Sequence, residues 1–171
     1  MTRLIAIDPG MESGVFIGEF DRRTPLTVND QFQVTGGVQG FYSALFIDRY
    51  LDRTASPDVV VFERFTPRPM GRQYRREELE PLVIEGLIYG MFPPEIVAYQ
   101  SPQSMLINGG SGAEGKRNAD RLLRNLGLHM TGADVGRPDA NDANAATKHA
   151  LAYMVSIGHE PTIRLLDQNR D

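Results

Sequence analysis

Two short apolar runs, each ending in an acidic residue, constrain the fold more than any other feature of the chain. The first is Leu4–Ile7, followed by Asp8 and Pro9-Gly10, and the second is Val59–Phe62, followed by Glu63. Continuously apolar runs of this length suit strands that are covered on both faces. A carboxylate at the end of such a strand is costly to desolvate unless something accompanies it. There are therefore two alternatives. The side chain of Asp8 accepts hydrogen bonds within an Asx-type turn, or a cation lies beside it.

The hydrophobic pattern elsewhere predicts an α/β fold. Three strands with short links, at residues 3–7, 14–20 and 26–34, predict an antiparallel meander. Strands at 58–63 and 96–99 then alternate with helices, which we predict from Val38 to near Arg53, Pro81 to about Met91, Ser101 onward, Lys116 to Leu126, and Asp139 to about Ile157. The expected architecture is a mixed five-stranded sheet, with three antiparallel strands followed by parallel ones, flanked by helices. We expect one domain over residues 1–158 and a loose tail over 159–171.

Composition excludes several classes of protein. The 171 residues include no cysteine, so disulfides and thiolate metal sites are impossible. The N-terminus MTRLIAID lacks the apolar segment of a signal peptide, and no stretch is long enough to cross a bilayer. The net charge of −4 argues weakly against a protein that coats nucleic acid, although a local basic surface is compatible with it. The absence of cysteine fits a reducing cytoplasm, and we expect a protein without a membrane partner.

Four carboxylates are the candidate catalytic residues. Asp139 and Asp142 lie three apart at a predicted helix start, where the helix dipole alone would favour them. If the strands that end in Asp8 and Glu63 are parallel neighbours, their carboxylates emerge together at the carboxyl edge of the sheet, where α/β sheets bind ligands. Four clustered acids repel one another unless cations neutralise them, and carboxylate oxygens select Mg²⁺ or Mn²⁺. Two such ions about 4 Å apart can activate a water and stabilise the leaving oxygen of a phosphodiester.

An ordered set of motifs resembles the RuvC-type Holliday junction resolvases. IAIDPGMESGVFIGEF resembles their first hairpin, VVVFERF their second motif, GAEGKRNADRLL their glycine loop and helix, and PDANDANAATKHALA their last motif. The resemblance covers about residues 3–155. It differs in the stretch SPQSMLIN, where the family usually carries another lysine. Such divergence suits a phage or mobile-element member.

The resemblance implies the fold, the activity and the site. It implies a ribonuclease H-like homodimer that nicks four-way DNA junctions with Mg²⁺. The carboxylate cluster predicts two such ions per site, for which Mn²⁺ can substitute. The metal ligands and catalytic residues that it implies are Asp8, Glu63, Asp139 and Asp142.

Two groups of basic residues are candidate DNA contacts. Cationic flanks beside an acidic pocket would attract phosphates despite the negative net charge. Phe65, inside the first group, either stacks on an unpaired base or belongs to the core. The candidate DNA-binding residues are Arg64, Phe65, Arg68, Arg72, Arg75, Arg76, Lys116, Arg117 and Arg121.

Three further features are open to a structural or a functional interpretation. GSGAEGKR nearly matches a phosphate-binding P-loop, but Arg117 replaces the hydroxyl residue, so we expect no nucleotide. The apolar helix around residues 80–91 is either core or a homodimer seam. We interpret His129, His149 and His159 as structural or surface residues, because they do not cluster in the sequence. His149 also lies two turns beyond Asp142, too far along the helix to share its ligand directly.

The sequence thus predicts a Mg²⁺-dependent endonuclease that resolves four-way and other branched DNA by paired nicking, leaving 5′ phosphates. A related nuclease that prefers flaps, forks or RNA–DNA hybrids is an alternative. So is a junction-binding protein that does not cleave. An actin-like nucleotide-binding protein is disfavoured, because that architecture needs two such domains.

Overall fold

The computed structural model describes residues 1–46, 56–65, 74–101, 107, 111–136 and 138–170. The brief helix predicted after Ser101 and the end of the helix predicted to reach Arg53 lie outside these residues. No helix among the described residues has the length and apolar character needed to span a membrane.

Five strands form one mixed sheet. They are β1 (Thr2–Asp8), β2 (Glu12–Phe20), β3 (Thr27–Thr35), β4 (Val59–Glu63) and β5 (Val97–Gln100). Their order in the sheet is β3-β2-β1-β4-β5. The pairs β1–β2 and β2–β3 are antiparallel, whereas β1–β4 and β4–β5 are parallel. The predicted α/β fold class and the mixed five-stranded sheet are therefore confirmed.

Helices cover both faces of this sheet. Alternation along β1 divides the core, because successive side chains of a strand point to opposite faces. Leu4 and Ala6 belong to one apolar cluster and Ile5 and Ile7 to the other. The helices are α1 (Gly37–Phe46), α2 (Arg76–Met91), α3 (Gly112–Asn125), α4 (Gly132–Val135), α5 (Asn141–Ser156) and α6 (Glu160–Gln168), with a short 3₁₀ turn at Pro94–Ile96.

Two helices begin earlier than their sequences predict. Helix α2 begins five residues before Pro81, and the backbone N–H of Arg75 donates a 3.0 Å hydrogen bond to the carboxylate of Glu78 at this end. Helix α3 begins at Gly112 rather than at Lys116. Lys116 therefore lies one turn inside the helix, unlike the lysine of a P-loop, which lies at the helix start.

The C-terminal segment is not the loose tail that we predicted after residue 158. Residues Glu160–Gln168 form α6, and Leu166 is fully buried in the core. The hydroxyl of Thr162 accepts a 2.9 Å hydrogen bond from the backbone N–H of Leu26. Thr162 and Leu166 lie one turn apart on one face of α6, and Leu166 packs into the apolar cluster that lies between α5 and the sheet. The many charged residues nearby obscured this short apolar face.

Candidate active site

Three polar side chains end neighbouring parallel strands on one face of the sheet. Glu63 pairs with Gln100 across β4 and β5, and Ile7, just before Asp8, pairs with Phe62, just before Glu63. Side chains two residues apart on a strand share a face, so Asp8 lies on the same face as Leu4 and Ala6. Glu63 likewise lies on the same face as Val59 and Val61, which is the face that α5 covers. The predicted meeting of Asp8 and Glu63 is thus produced by strand pairing, and Gln100 extends the same row.

Helix α5 approaches this row closely because β2 carries a glycine there. Gly14 pairs with Asp8. A Cβ atom at Gly14 would lie 1.8 Å from the carbonyl oxygen of Asp142 and 2.7 Å from the backbone nitrogen of Ala143. The start of α5 is also held by β3, because the side-chain amide of Gln31 donates a 3.3 Å hydrogen bond to the Ala143 carbonyl. A missing side chain therefore brings Asp142 beside Asp8.

His149, which we interpreted as a structural or surface residue, is buried against Glu63, one of the four predicted metal ligands. Its side chain is fully buried, and its Nε2 atom lies 3.0 Å from Oε2 of Glu63. Its Nδ1 atom lies 3.3 Å from Oε1 of Gln100. His149 lies seven residues after Asp142 on α5. This separation is about two full turns, so both side chains lie on the same face of the helix. The sequence signal was this shared face, and the missing information was that Glu63 lies beneath it.

A cavity of about 600 Å³ opens beside Asp8. The two other predicted acids, Asp139 and Asp142, line it together with Asp8. Asp139 lies two residues before α5 rather than within it, is exposed, and accepts a 3.2 Å hydrogen bond from the backbone N–H of Asn141. Three of the four predicted carboxylates thus share this cavity, and Glu63 contacts His149.

The carboxylates in this region suppress one another's ionisation. Burial, followed by the charges of Glu63 and Asp142, raises the pKa of Asp8 well above its usual value, although Lys148 and Lys116 oppose this shift. Burial, followed by the charges of Glu12 and Asp139, raises the pKa of Asp142 to about 6. Such an arrangement gains stability from a bound cation, because a positive charge relieves both the repulsion and the desolvation.

An ion pair that the sequence did not suggest links α5 to α3 in the same cavity. The ammonium group of Lys148 lies 2.6 Å from Oδ1 of Asp120, and only 9% of the Lys148 side chain is exposed. Lys116 lies one turn before Asp120 on α3 and also lines the cavity. The site therefore has two lysines facing its acids. Lys148 was missed because its position in an alanine-rich helix gives no sign of burial.

The predicted DNA-binding residues lie in three places. Arg64 is exposed next to Glu63, with its guanidinium 4.8 Å from the ring centre of Tyr99. Phe65 is half-buried, and its ring centre lies 6.5 Å from that of Tyr74. Arg75 is exposed just before α2, whose first residue is Arg76, while Arg68 and Arg72 lie outside the described residues. The remaining three, all exposed on α3, are Lys116, Arg117 and Arg121.

The donor set fits a small divalent cation. One ligand atom from each of Asp8, Glu63 and His149 lies within 4.8 Å of the others. An octahedral ion with bonds of 2.0–2.1 Å places adjacent donors roughly 3 Å apart and opposite donors roughly 4 Å apart. The 3.0 Å between Nε2 of His149 and Oε2 of Glu63 matches two adjacent donors, and Asp142 lines the cavity beside Asp8.

Structural comparison identifies proteins with the same fold. The chain is similar to the structure of Thermus thermophilus RuvC, with 19% sequence identity and a TM-score of 0.51, over 92% of this chain and 98% of that one. It is also similar to T. thermophilus RuvC in complex with a Holliday junction substrate, with 14% identity, a TM-score of 0.50 and the same coverage. No protein-family model and no curated protein sequence matches. The fold is therefore ribonuclease H-like, as in RuvC.

Proposed function

We propose that this protein is a RuvC-type, metal-dependent endonuclease that resolves four-way DNA junctions by paired nicking and leaves 5′ phosphates. The observation that carries the proposal is the convergence of Asp8 and Glu63 at the carboxyl edge of a ribonuclease H-like sheet. The fold is shared with RuvC, which has been captured with a Holliday junction substrate. Branched DNA of this kind arises in the cytoplasm of a bacterium or of a phage-infected host, which is where we expect the protein to act.

Asp8, Glu63, Asp139 and Asp142 would hold two Mg²⁺ ions, for which Mn²⁺ can substitute. Bound there, the cations would supply activation of the attacking water and stabilisation of the leaving 3′ oxygen. The carboxylates contribute by fixing the cations against one edge of the sheet. That edge is rigid, because β1 and β4 are buried on both faces.

Basic side chains around the acids would hold the DNA backbone. Lys116 and Lys148 line the cavity, which supports a role for them in binding the phosphate that would enter it. Arg64 lies next to Glu63 on one flank, and Arg117 and Arg121 are exposed on the α3 flank. The family usually carries a lysine in the stretch that reads SPQSMLIN in this chain. We propose that Lys148 on α5 provides a positive charge in its place.

Cleavage of synthetic DNA tests the proposal directly. We expect Mg²⁺ or Mn²⁺ to support symmetric nicking of a labelled four-way junction, and EDTA to abolish it. Flaps, forks and RNA–DNA hybrids at one salt concentration serve as competing substrates. Preference for one of these would replace junction resolution by another nuclease activity. Binding of the junction without nicking in either metal would contradict an enzymatic function.

We also propose that the protein is a homodimer assembled through α2. The outer face of this helix leaves several apolar side chains partly exposed: Leu79 (36% exposed), Leu82 (50%), Val83 (49%) and Tyr89 (46%). Two copies related by a two-fold axis would bury this face and present two active sites to opposite strands of a symmetric junction.

Val83→Glu is expected to convert the dimer into a monomer. The new carboxylate would be buried without a partner in the seam, and such burial is strongly unfavourable. Sedimentation velocity at several concentrations measures the change. Val155→Glu is the matched control, since Val155 is also exposed (41%) but lies on α5. A wild-type monomer, or a dimer that survives Val83→Glu and two-site variants of the same face, would exclude this seam.

A further inference from the structure

His149 is held from two sides at the bottom of the candidate site. Its ring is fully buried, and each nitrogen faces a side chain from a different strand. Nδ1 lies 3.3 Å from the amide oxygen of Gln100 on β5, and Nε2 lies 3.0 Å from a carboxylate oxygen of Glu63 on β4. Gln100 is itself buried, so the ring has little freedom to turn.

The Gln100 contact determines which nitrogen of a neutral ring carries the proton. An amide oxygen only accepts hydrogen bonds, so Nδ1 must be the protonated nitrogen. Nε2 then presents its lone pair toward Glu63, and the two lone pairs repel unless a proton or a metal cation lies between or beside them. Histidines that bind metals in proteins typically have this arrangement, with the second nitrogen donating to an oxygen acceptor that fixes the tautomer.

We propose that Nε2 of His149 is a direct ligand of a divalent cation together with Asp8 and Glu63, and that Gln100 is the positioning residue that orients the ring. The proposal rests on the metal-dependent part of the proposed function and adds a nitrogen to an otherwise all-oxygen site. Imidazole nitrogen suits transition-metal ions better than it suits Mg²⁺. We therefore expect this site to bind Mn²⁺ more tightly than Mg²⁺, although both ions fit it.

Pulsed electron paramagnetic resonance with Mn²⁺ as the probe tests the ligand directly. We expect ¹⁴N modulation from the bound ion in the wild-type protein, and replacement of this signal by a ¹⁵N signal when only histidine is labelled. His149→Ala should lose the nitrogen signal. His129→Gln is the matched control, because His129 is a histidine that lines the cavity beside Asp8 and its replacement should leave the signal intact. The isotope experiment uses the wild-type chain, so its outcome does not depend on how the variant folds.

Metal titration tests the role of Gln100. Gln100→Leu leaves His149 in place but removes the acceptor for Nδ1–H. We expect it to weaken Mn²⁺ binding by about 10–100-fold, the usual effect of losing such a partner. Mg²⁺ affinity should change less, so the ratio of the two affinities should fall. Equal weakening for both ions would contradict a nitrogen ligand and would indicate a structural role.

The outcomes separate this inference from the proposed function. Mn²⁺ bound without any nitrogen signal, in a protein that still nicks junctions, would overturn the inference alone. A nitrogen signal in a protein that cleaves no DNA would support the inference and overturn the nuclease. Absence of Mn²⁺ binding in the wild-type protein would overturn the inference and the metal dependence together.

Discussion

Asp8→Asn is expected to lower the rate of Mg²⁺-dependent junction cleavage by at least about a hundredfold, since even the outer partners of metal ligands are worth 10–100-fold. The charges of both Glu63 and Asp142 act on the carboxylate of Asp8, so Asp8 lies close to two other acids of the candidate site. Single-turnover cleavage of a labelled four-way junction measures the loss. Asp167→Asn, an exposed position at the end of α6, is the control and should cleave normally. Cleavage by Asp8→Asn at the wild-type rate would refute the proposed site.

The same substitution should stabilise the metal-free protein at pH 7. A carboxyl whose pKa is raised by folding stabilises the folded state below its unfolded-state pKa, and this contribution is lost as the pH rises through the folded-state pKa. Asp8 has a raised pKa, and Asp142 loses its contribution between about 3.8 and about 6. In EDTA, the wild-type Tm should therefore fall from pH 4.5 to pH 7, and Asp8→Asn should fall less. Thermal melts over this range check the sign, and parallel curves for the two proteins would contradict it.

Lower activity together with higher stability would distinguish a functional carboxylate from a structural one. A carboxylate that merely caps a turn contributes to folding, so its loss would lower Tm. The structure favours the other outcome, because burial and neighbouring charges make the ionised form of Asp8 unfavourable. This comparison also resolves the ambiguity that the sequence left between an Asx turn and a cation site.

The sheet and its two central acids were predictable because they depend on local pattern and pairing rules. Continuous apolar runs mark strands buried on both faces, and parallel neighbours end at the same edge. Asp8 and Glu63 follow from these two facts without any information on side-chain packing. Helix starts were less predictable, because α2 and α3 extend into segments whose residues have no apolar periodicity.

The remaining site residues depend on which helix face lies over which strand, and sequence pattern does not determine this. His149, Lys148 and Gln100 contact partners far away along the chain, at Glu63, Asp120 and His149 respectively. A buried lysine or histidine in an alanine-rich helix has the same local sequence as an exposed one. Only the packing of α5 against the sheet and against α3 brings these side chains to their partners.

Gly14→Ala is expected to distort the candidate active site, because Gly14 pairs with Asp8 and lies against the start of α5. The added methyl group would lie 1.8 Å from the carbonyl oxygen of Asp142, so the start of α5 must move by more than 1 Å to relieve the clash. A displacement of this size at catalytic groups costs about a hundredfold in rate. Overpacking also costs about 1–3 kcal/mol of folding free energy, a loss of several degrees in Tm. We therefore expect weaker Mn²⁺ binding, slower junction cleavage and a lower Tm.

Gly40→Ala separates the loss of stability from the loss of the site. A Cβ atom there would lie 1.8 Å from the carbonyl oxygen of Thr35, an equally severe clash, but Gly40 is in α1 on the other face of the sheet. This variant should lose Tm as Gly14→Ala does, while the folded protein binds Mn²⁺ and cleaves junctions normally. Cleavage rates and Mn²⁺ affinities measured well below both melting temperatures make the comparison. If the two variants behaved alike in both assays, the position of α5 beside Asp8 would have no special role in the chemistry, and Gly14 would be only a packing residue.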